Sequence, residues 1–183
     1  MKALPRIALN LIPAMIVLGV CLSQISWNWV GLLVFPATYL FGILTEWFVH
    51  KYLLHRKFFA TMNLYRWHMI HHGLYRNKFW MSNLNEIENV IIPLSGVAYL
   101  FLLIIPVMML LASLIGLSWW LGIAFVVFYL FYEVSHVTHH WKSEKLWLVS
   151  FRSHHQSHHQ KWSNSNFGVT STRPDRWLGT YRD

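Results

Sequence analysis

Cysteine and charge are the two things that this chain of 183 residues has in short supply. Its single cysteine, Cys21, has no partner within the chain, which excludes a fold stapled by internal disulfides. Charged residues make up 12% of the sequence, whereas soluble domains carry about 25%. Hydrophobic residues make up 55%, which excludes intrinsic disorder. The length fits a single domain, and we expect it to span residues 1–183.

Two long stretches, residues 7–45 and 89–132, contain no Asp, Glu, Lys or Arg. A straight helix of either length would measure about 60 Å, twice the hydrocarbon thickness of a membrane. Each stretch is therefore predicted to fold back as a hairpin, with turns near residues 26–29 and 116–120, where polar and Trp residues suit the interface. The predicted fold is an all-α integral membrane protein with four transmembrane helices in two hairpins, about 7–49 and 89–135.

The basic residues are confined to three parts of the chain. A net charge of +8 would suggest nucleic acid binding in a soluble protein, but all 15 Lys and Arg lie before, between or after the two hairpins. A hairpin begins and ends on one side of the membrane, so the positive-inside rule assigns both termini to the cytosol. Segments 50–88 and 136–183 are predicted to form a His-rich cytosolic helical cap that holds a dimetal site. No nucleic acid partner is expected. Cleavage of residues 7–22 as a signal peptide is the alternative, but no small-residue cleavage site follows them.

The 12 histidines occur in four groups. Residues at positions i, i+3 and i+4 share a helix face, so His68, His71 and His72 are predicted to point to one side. The same holds for His155, His158 and His159, and for the pair His136 and His140. By contrast, His50 and His55 lie about 140° apart around an α-helix and are predicted to flank a site from two directions. Such a density of imidazole is favourable when a divalent metal binds it.

The layout of the chain is duplicated. Glu46 and Glu133 each precede a histidine, His50 or His136, by about one helical turn. An HxxHH box follows each of these histidines at a similar distance. The two halves are therefore predicted to deliver matching ligand sets to one two-metal centre. Each glutamate is predicted either to orient a ligand histidine through a hydrogen bond to its second ring nitrogen or to lie at the membrane interface as a snorkelling residue.

Other kinds of metal protein fit less well. A structural zinc site needs four ligands, which is fewer than the sequence offers. A metal transporter would bind ions through polar residues within its spans, and here the spans offer little. Those polar residues are Asn10, Ser23, Thr38, Ser95 and Ser113. A His-rich membrane metal transporter is the less favoured alternative, and a metal-free structural protein is a third.

The histidine spacing resembles that of a known family. The order HxxxxH, HxxHH, HxxxH and HxxHH is similar to that of the fatty acid hydroxylase and sterol desaturase superfamily, whose members are membrane-bound, non-haem di-iron oxygenases. Residues 132–133, 154–159, 166–170 and 175–181 also resemble its motifs, and the likeness covers about residues 30–181. It implies ten metal ligands: His50, His55, His68, His71, His72, His136, His140, His155, His158 and His159. His139 and His154 are left over, to hydrogen-bond, shuttle protons or replace a ligand.

The resemblance also implies a function. It indicates an O₂-dependent oxidoreductase that uses two iron ions to hydroxylate an unactivated C–H bond of a lipid, in the acyl chain of a membrane lipid or fatty acid. Sterol or carotenoid hydroxylation or desaturation is the alternative, although the spacing from His55 to His68 fits the acyl and sterol branches better. The imidazoles alone suit zinc as well as iron. No catalytic residue beyond the ligands is assigned.

A separate electron donor is expected, because no haem-binding domain is fused to the chain. A ferredoxin or a small haem protein fits this role, and a bacterial inner membrane is preferred to the endoplasmic reticulum. Basic residues of the cap can attract an acidic donor or anionic headgroups. They are Arg56, Lys57, Arg66, Arg76, Lys78, Arg173 and Arg176.

Overall fold

Helices are the regular secondary structure in the described parts of the chain. A computed structural model describes residues 3–142, 151–161 and 164–183, so the predicted cap segment 136–183 lies partly outside the described residues. The helices are α1 (Ala3–Gln24), α2 (Trp29–Leu54), α3 (Met62–Tyr75), α4 (Leu94–Ser113), α5 (Ser118–His140), α6 (Arg152–Gln160) and α7 (Arg173–Trp177). Short 3-10 turns occupy Phe59–Thr61 and Leu84–Asn89. The all-α prediction is confirmed for these residues.

Four of the helices, α1, α2, α4 and α5, are long and apolar enough to cross a membrane, which agrees with the four predicted spans. The links between them occupy residues 25–28 and 114–117, at or beside the predicted turns. Asn28 caps the start of α2, because its side chain accepts a hydrogen bond from the Gly31 N–H at 2.7 Å. Gly116 adopts a φ of 71° after α4, a conformation that glycine tolerates best.

Helix α5 is the inner helix of the bundle. It packs against α1, α2 and α4, and 56% of its apolar stretch is buried, compared with 17% to 28% in the other three. Phe125, Val126 and Tyr129 form the centre of the core, with Ala14 from α1 and Phe101 from α4. Large apolar side chains on the outside of the bundle remain exposed, as expected of a surface that faces lipid.

The membrane-length helices extend further than the predicted boundaries at the histidine end. Helix α2 continues to Leu54 and α5 continues to His140, because a helix does not need to stop where polar residues resume. The first histidines of each half therefore lie in the last turns of these helices. At the start of the second half, Pro93 directly precedes α4, which begins at Leu94. Proline lacks an N–H and so suits the start of a helix, where the first N–H groups have no partner within the helix.

A π-helical turn, Val49–Leu54, ends α2. In such a turn the backbone bonds connect residues i and i+5, so that side chains five apart come close to the same face. His50 and His55 are five apart and contribute to the same group of ring nitrogens. The α-helical geometry assumed for this pair is therefore replaced by a π-turn, and both histidines serve one site.

The short helices cover the ends of α2 and α5 that carry histidines. Helix α3 packs on the π-turn of α2, α6 packs on α3 and α5, and α7 packs on α2. A small apolar cluster fixes the segment that follows α3. It consists of Tyr75, Met81, Ile87, Val90 and Ile91, with Ala3 and Ile7 of α1 and Val137 of α5 against it.

Candidate metal centre

The ten histidines that the family resemblance implies as ligands lie in two groups of five. Within each group the ring nitrogens lie within 4.8 Å of one another. We call the two groups site one and site two. Site one consists of His50, His55, His68, His72 and His158, and site two of His71, His136, His140, His155 and His159.

Helix α3 contributes to both sites. His68 and His72, four residues apart, share a face and belong to site one, whereas His71 is turned toward site two. The three imidazoles therefore serve two adjoining sites, a division that the spacing did not predict.

Helix α6 has the opposite distribution. Its pair His155 and His159 belongs to site two, and His158 belongs to site one. The two boxes face each other, and the rings of His72 and His159 stack with centroids 4.2 Å apart. Each site thus receives two histidines from or next to a membrane-length helix, two from one box and one from the other.

The spacing of the nitrogens suits a metal with more than four ligands. In site one, the Nε2 atom of His68 lies 3.1 Å from Nε2 of His50 and of His55 and 3.0 Å from that of His72. At a metal–nitrogen distance of about 2.1 Å, neighbouring ligands of an octahedron are about 3.0 Å apart. These nitrogen–nitrogen distances would suit such a metal ion.

Backbone carbonyls fix the tautomer of four of the histidines. The Nδ1–H groups donate as follows: His50 to Phe167 O (2.5 Å), His158 to Ser165 O (2.6 Å), His71 to Asn89 O (2.7 Å) and His140 to Phe79 O (2.8 Å). Each of these rings therefore presents the bare lone pair of Nε2 to the other nitrogens of its site. Lone pairs that converge in this way repel one another unless a cation lies between them, so the residues fit a bound metal ion.

Burial keeps the imidazoles neutral. Desolvation, followed by the nearby His158 ring, lowers the pKa of His55 from 6.5 to about 3. Desolvation also holds the pKa of His68, His71 and His155 well below the ordinary value, and neighbouring histidines add to the effect. At neutral pH these side chains carry no proton that a metal would have to displace.

Aromatic side chains enclose both sites. Tyr75 and Phe79 lie against the His140 ring, with centroids 4.5 and 4.6 Å away, and Phe167 packs on His50 at 5.6 Å. A cavity of about 320 Å³ opens between α3 and α6 and reaches histidines of both sites. Its lining includes His55, His72 and His159, with the basic residues Arg76 and Lys161.

His139 and His154 belong to neither site. The Nε2–H of His139 donates to Val169 O at 2.9 Å, and Nε2 of His154 lies 2.9 Å from Oδ2 of Asp175. Three roles were open for these two histidines: hydrogen bonding, proton transfer and replacement of a ligand. The geometry fits hydrogen bonding, by which His139 connects α5, and His154 connects α6, to the C-terminal segment.

Glu46 and Glu133 lie near the sites but bond to backbone segments. Glu46 accepts hydrogen bonds from the N–H groups of Val169 (2.5 Å) and Thr170 (3.1 Å). Glu133 accepts from the N–H of Ile92 at 3.1 Å and from the Asn10 side chain at 3.3 Å. Glu133 is buried, and Glu46 is half-buried.

Asp175 is a buried carboxylate whose role the sequence analysis missed. It accepts hydrogen bonds from the N–H groups of Phe167 (2.9 Å) and Gly168 (2.7 Å) and from the Thr180 hydroxyl (2.6 Å). Burial raises the pKa of Asp175, but the bonds from His154, Thr180 and the two amides outweigh it and lower the pKa below 3.8. The available signal was that Asp175 is the one acidic residue among residues 164–182.

Gly168 lets the C-terminal segment turn close to Asp175. A Cβ atom at this position would lie 2.0 Å from the carbonyl oxygen of Ser171 and 3.0 Å from Oδ2 of Asp175. Asn166, with a φ of 58°, closes the same segment by accepting from the Arg182 N–H at 2.7 Å. The segment that carries two of the histidine-binding carbonyls is thus tightly held.

Comparisons with known proteins agree with this geometry. A family model described as "Fatty acid hydroxylase" matches residues 35–180, a range that contains both sites. Among solved structures, "Full length scs7p (only hydroxylase domain visible)" has a similar fold, with a TM-score of 0.67 and 21% sequence identity. The similarity covers 96% of this chain and 65% of that one. A comparison with curated proteins finds no match.

Proposed function

The chain belongs to the fatty acid hydroxylase family, and from this premise we propose that it is an O₂-dependent oxidoreductase that hydroxylates an unactivated C–H bond of a lipid. The observation that carries the proposal is the pair of sites, each with five imidazoles whose lone pairs converge. Side chains alone do not attack such a bond, whereas metal-bound O₂ chemistry does. Four membrane-length helices support a lipid as the substrate.

Two iron ions, held by the ten histidines, would supply the activation of O₂ that this reaction needs. In the balanced reaction one oxygen atom enters the C–H bond and the other leaves as water, which consumes two electrons and two protons. The five histidines of each site would hold the ion. Tyr75, Phe79 and Phe167 exclude water from the ligands.

The proposed substrate is the acyl chain of a membrane lipid or fatty acid, which reaches the sites from the bilayer. The proposed electron donor is a separate protein, a ferredoxin or a small haem protein, that approaches from the cytosol. Arg76 and Lys161, both exposed beside the cavity, would favour an acidic surface on this donor. The short helices and both termini lie on the cytosolic side in this proposal.

Metal content tests the two sites. We expect the purified protein to hold about two iron ions per chain, one for each site. His68→Ala in site one and His140→Ala in site two should each leave about one, because each removes a donor from the middle of its group. Gln156→Ala, on the exposed side of α6, is the control and should retain both ions. Less than one ion per chain, unaffected by the two alanine variants, would contradict the proposal.

Lipid analysis tests the reaction. Cells that express the chain should accumulate one lipid class with the added mass of one oxygen atom, and only when O₂ is supplied. Cells that express His68→Ala or His140→Ala should lack it. Loss of two hydrogens without added oxygen would indicate a desaturase instead. Metal flux into liposomes without O₂ consumption would indicate a transporter.

A further inference from the structure

Glu46 and Glu133 occupy matching positions in the two halves of the molecule. Each lies in a membrane-length helix about one turn before its first histidine, and each bonds to the backbone of a segment that is distant in sequence. Among the residues that the structure describes, the contacts of either glutamate include none with the ten histidines. Any effect of the two carboxylates on the orientation of the histidines must therefore pass through those backbone segments.

The segment that Glu46 holds belongs to site one. Besides the two amides, Glu46 accepts from the Thr170 hydroxyl at 2.5 Å. A few residues earlier in the same segment, Ser165 O and Phe167 O accept the Nδ1–H groups of His158 and His50. Both of these histidines are in site one.

The segment that Glu133 holds belongs to site two. Glu133 accepts from the Ile92 N–H at 3.1 and 3.3 Å through its two oxygens. Three residues before Ile92, Asn89 O accepts the Nδ1–H of His71, a member of site two. The carbonyl of Ile92 is also held, since it accepts from Arg6 (2.7 Å) and Asn10 (2.9 Å) of α1.

We propose that Glu46 and Glu133 are positioning residues with separate targets, Glu46 for site one and Glu133 for site two. A carbonyl orients an imidazole only if its own segment is fixed, and a buried carboxylate that receives that segment's N–H groups fixes it. The inference rests on the proposed function only in that both sites bind metal. It explains why the sequence places one glutamate before the histidines of each half.

The test measures the metal affinity of one site at a time. The His140→Ala variant leaves site one intact, and the His68→Ala variant leaves site two intact. Co²⁺ is added to each variant, and its binding is followed by its visible absorption. Glu46→Gln should weaken Co²⁺ binding about 10- to 100-fold in the His140→Ala protein and by less than about twofold in the His68→Ala protein. Glu133→Gln should show the reverse. Glu86→Gln, on the partly exposed acid that pairs with Lys78, is the matched control.

Equal weakening of both sites by either glutamine variant would overturn the inference, since that is the result of a general loss of packing. No weakening at either site would overturn it as well. If a glutamine variant fails to fold, Thr170→Val removes one donor to Glu46 and should weaken site one alone. Failure of the unsubstituted chain to bind Co²⁺ would instead contradict the proposed function.

Discussion

Neutral backbone carbonyls orient at least four of the ten histidines, where carboxylates often do so in other metal sites. A carbonyl sets the tautomer and direction of the ring without adding negative charge beside the metal. Imidazole also binds a metal as a neutral ligand, so each bound ion would keep its full charge. That charge is what polarises an exogenous ligand such as O₂.

Asp175→Asn is expected to destabilise the protein by about 2 kcal/mol, because an amide cannot accept all the hydrogen bonds that the carboxylate receives. The thermal unfolding midpoint in detergent measures this effect. The folded pKa of Asp175 is below 3.8, so its stabilisation is present above that pH and is lost as the pH falls through the folded pKa. Asp183→Asn, at the exposed terminus, is the control. An unchanged midpoint in Asp175→Asn would contradict this role.

At the level of elements, two glycines in helices have opposite surroundings. A Cβ atom at Gly31 of α2 would lie 2.0 Å from the indole of Trp120, whereas one at Gly73 of α3 meets nothing within 4 Å. Gly31→Ala should therefore destabilise the packing of α2 on α5 by about 2 kcal/mol. Gly73→Ala should stabilise α3 by about 0.5 kcal/mol through its higher helix propensity. Unfolding midpoints that move in the same direction for both variants would contradict this assignment.

Helix α1 lies outside the matched residues 35–180, yet it contacts the surroundings of site two. Arg6 and Asn10 are buried and both bond to the carbonyl of Ile92. From the sequence, α1 was predicted only as a membrane span. Its polar contacts became visible only with the fold, because Ile92 and Asn10 are far apart in the chain.

Local spacing predicted that histidines three or four residues apart lie together on a helix, and the family resemblance supplied the set of ten that the structure gathers into two groups. The sequence could not divide them between two sites, because that division depends on how α3 and α6 face each other. It also could not predict the π-turn that brings His50 and His55 together. Asp175 escaped notice because its partners, Phe167, Gly168 and His154, meet it only after the C-terminal segment has folded.

For the whole molecule, four helices are long and apolar enough to cross a membrane. If all four cross it, both termini would lie on one side and the two links on the other. In a Cys21→Ser background, single cysteines at Asp183 and at the exposed Ile115 should react with a membrane-impermeant maleimide from opposite sides. Intact cells should label Ile115→Cys, and Asp183→Cys should react only after lysis. The reverse pattern would overturn the cytosolic orientation. Labelling of both from one side would overturn the four crossings.

The sharing of α3 and α6 between the sites has a consequence for biosynthesis. Site one needs His158 and site two needs His155 and His159, all of which follow α5 in the chain. The four membrane-length helices are therefore synthesised before either site has its full set of ligands. Metal binding at the proposed sites would follow their synthesis and would join α3 and α6 to α2 and α5.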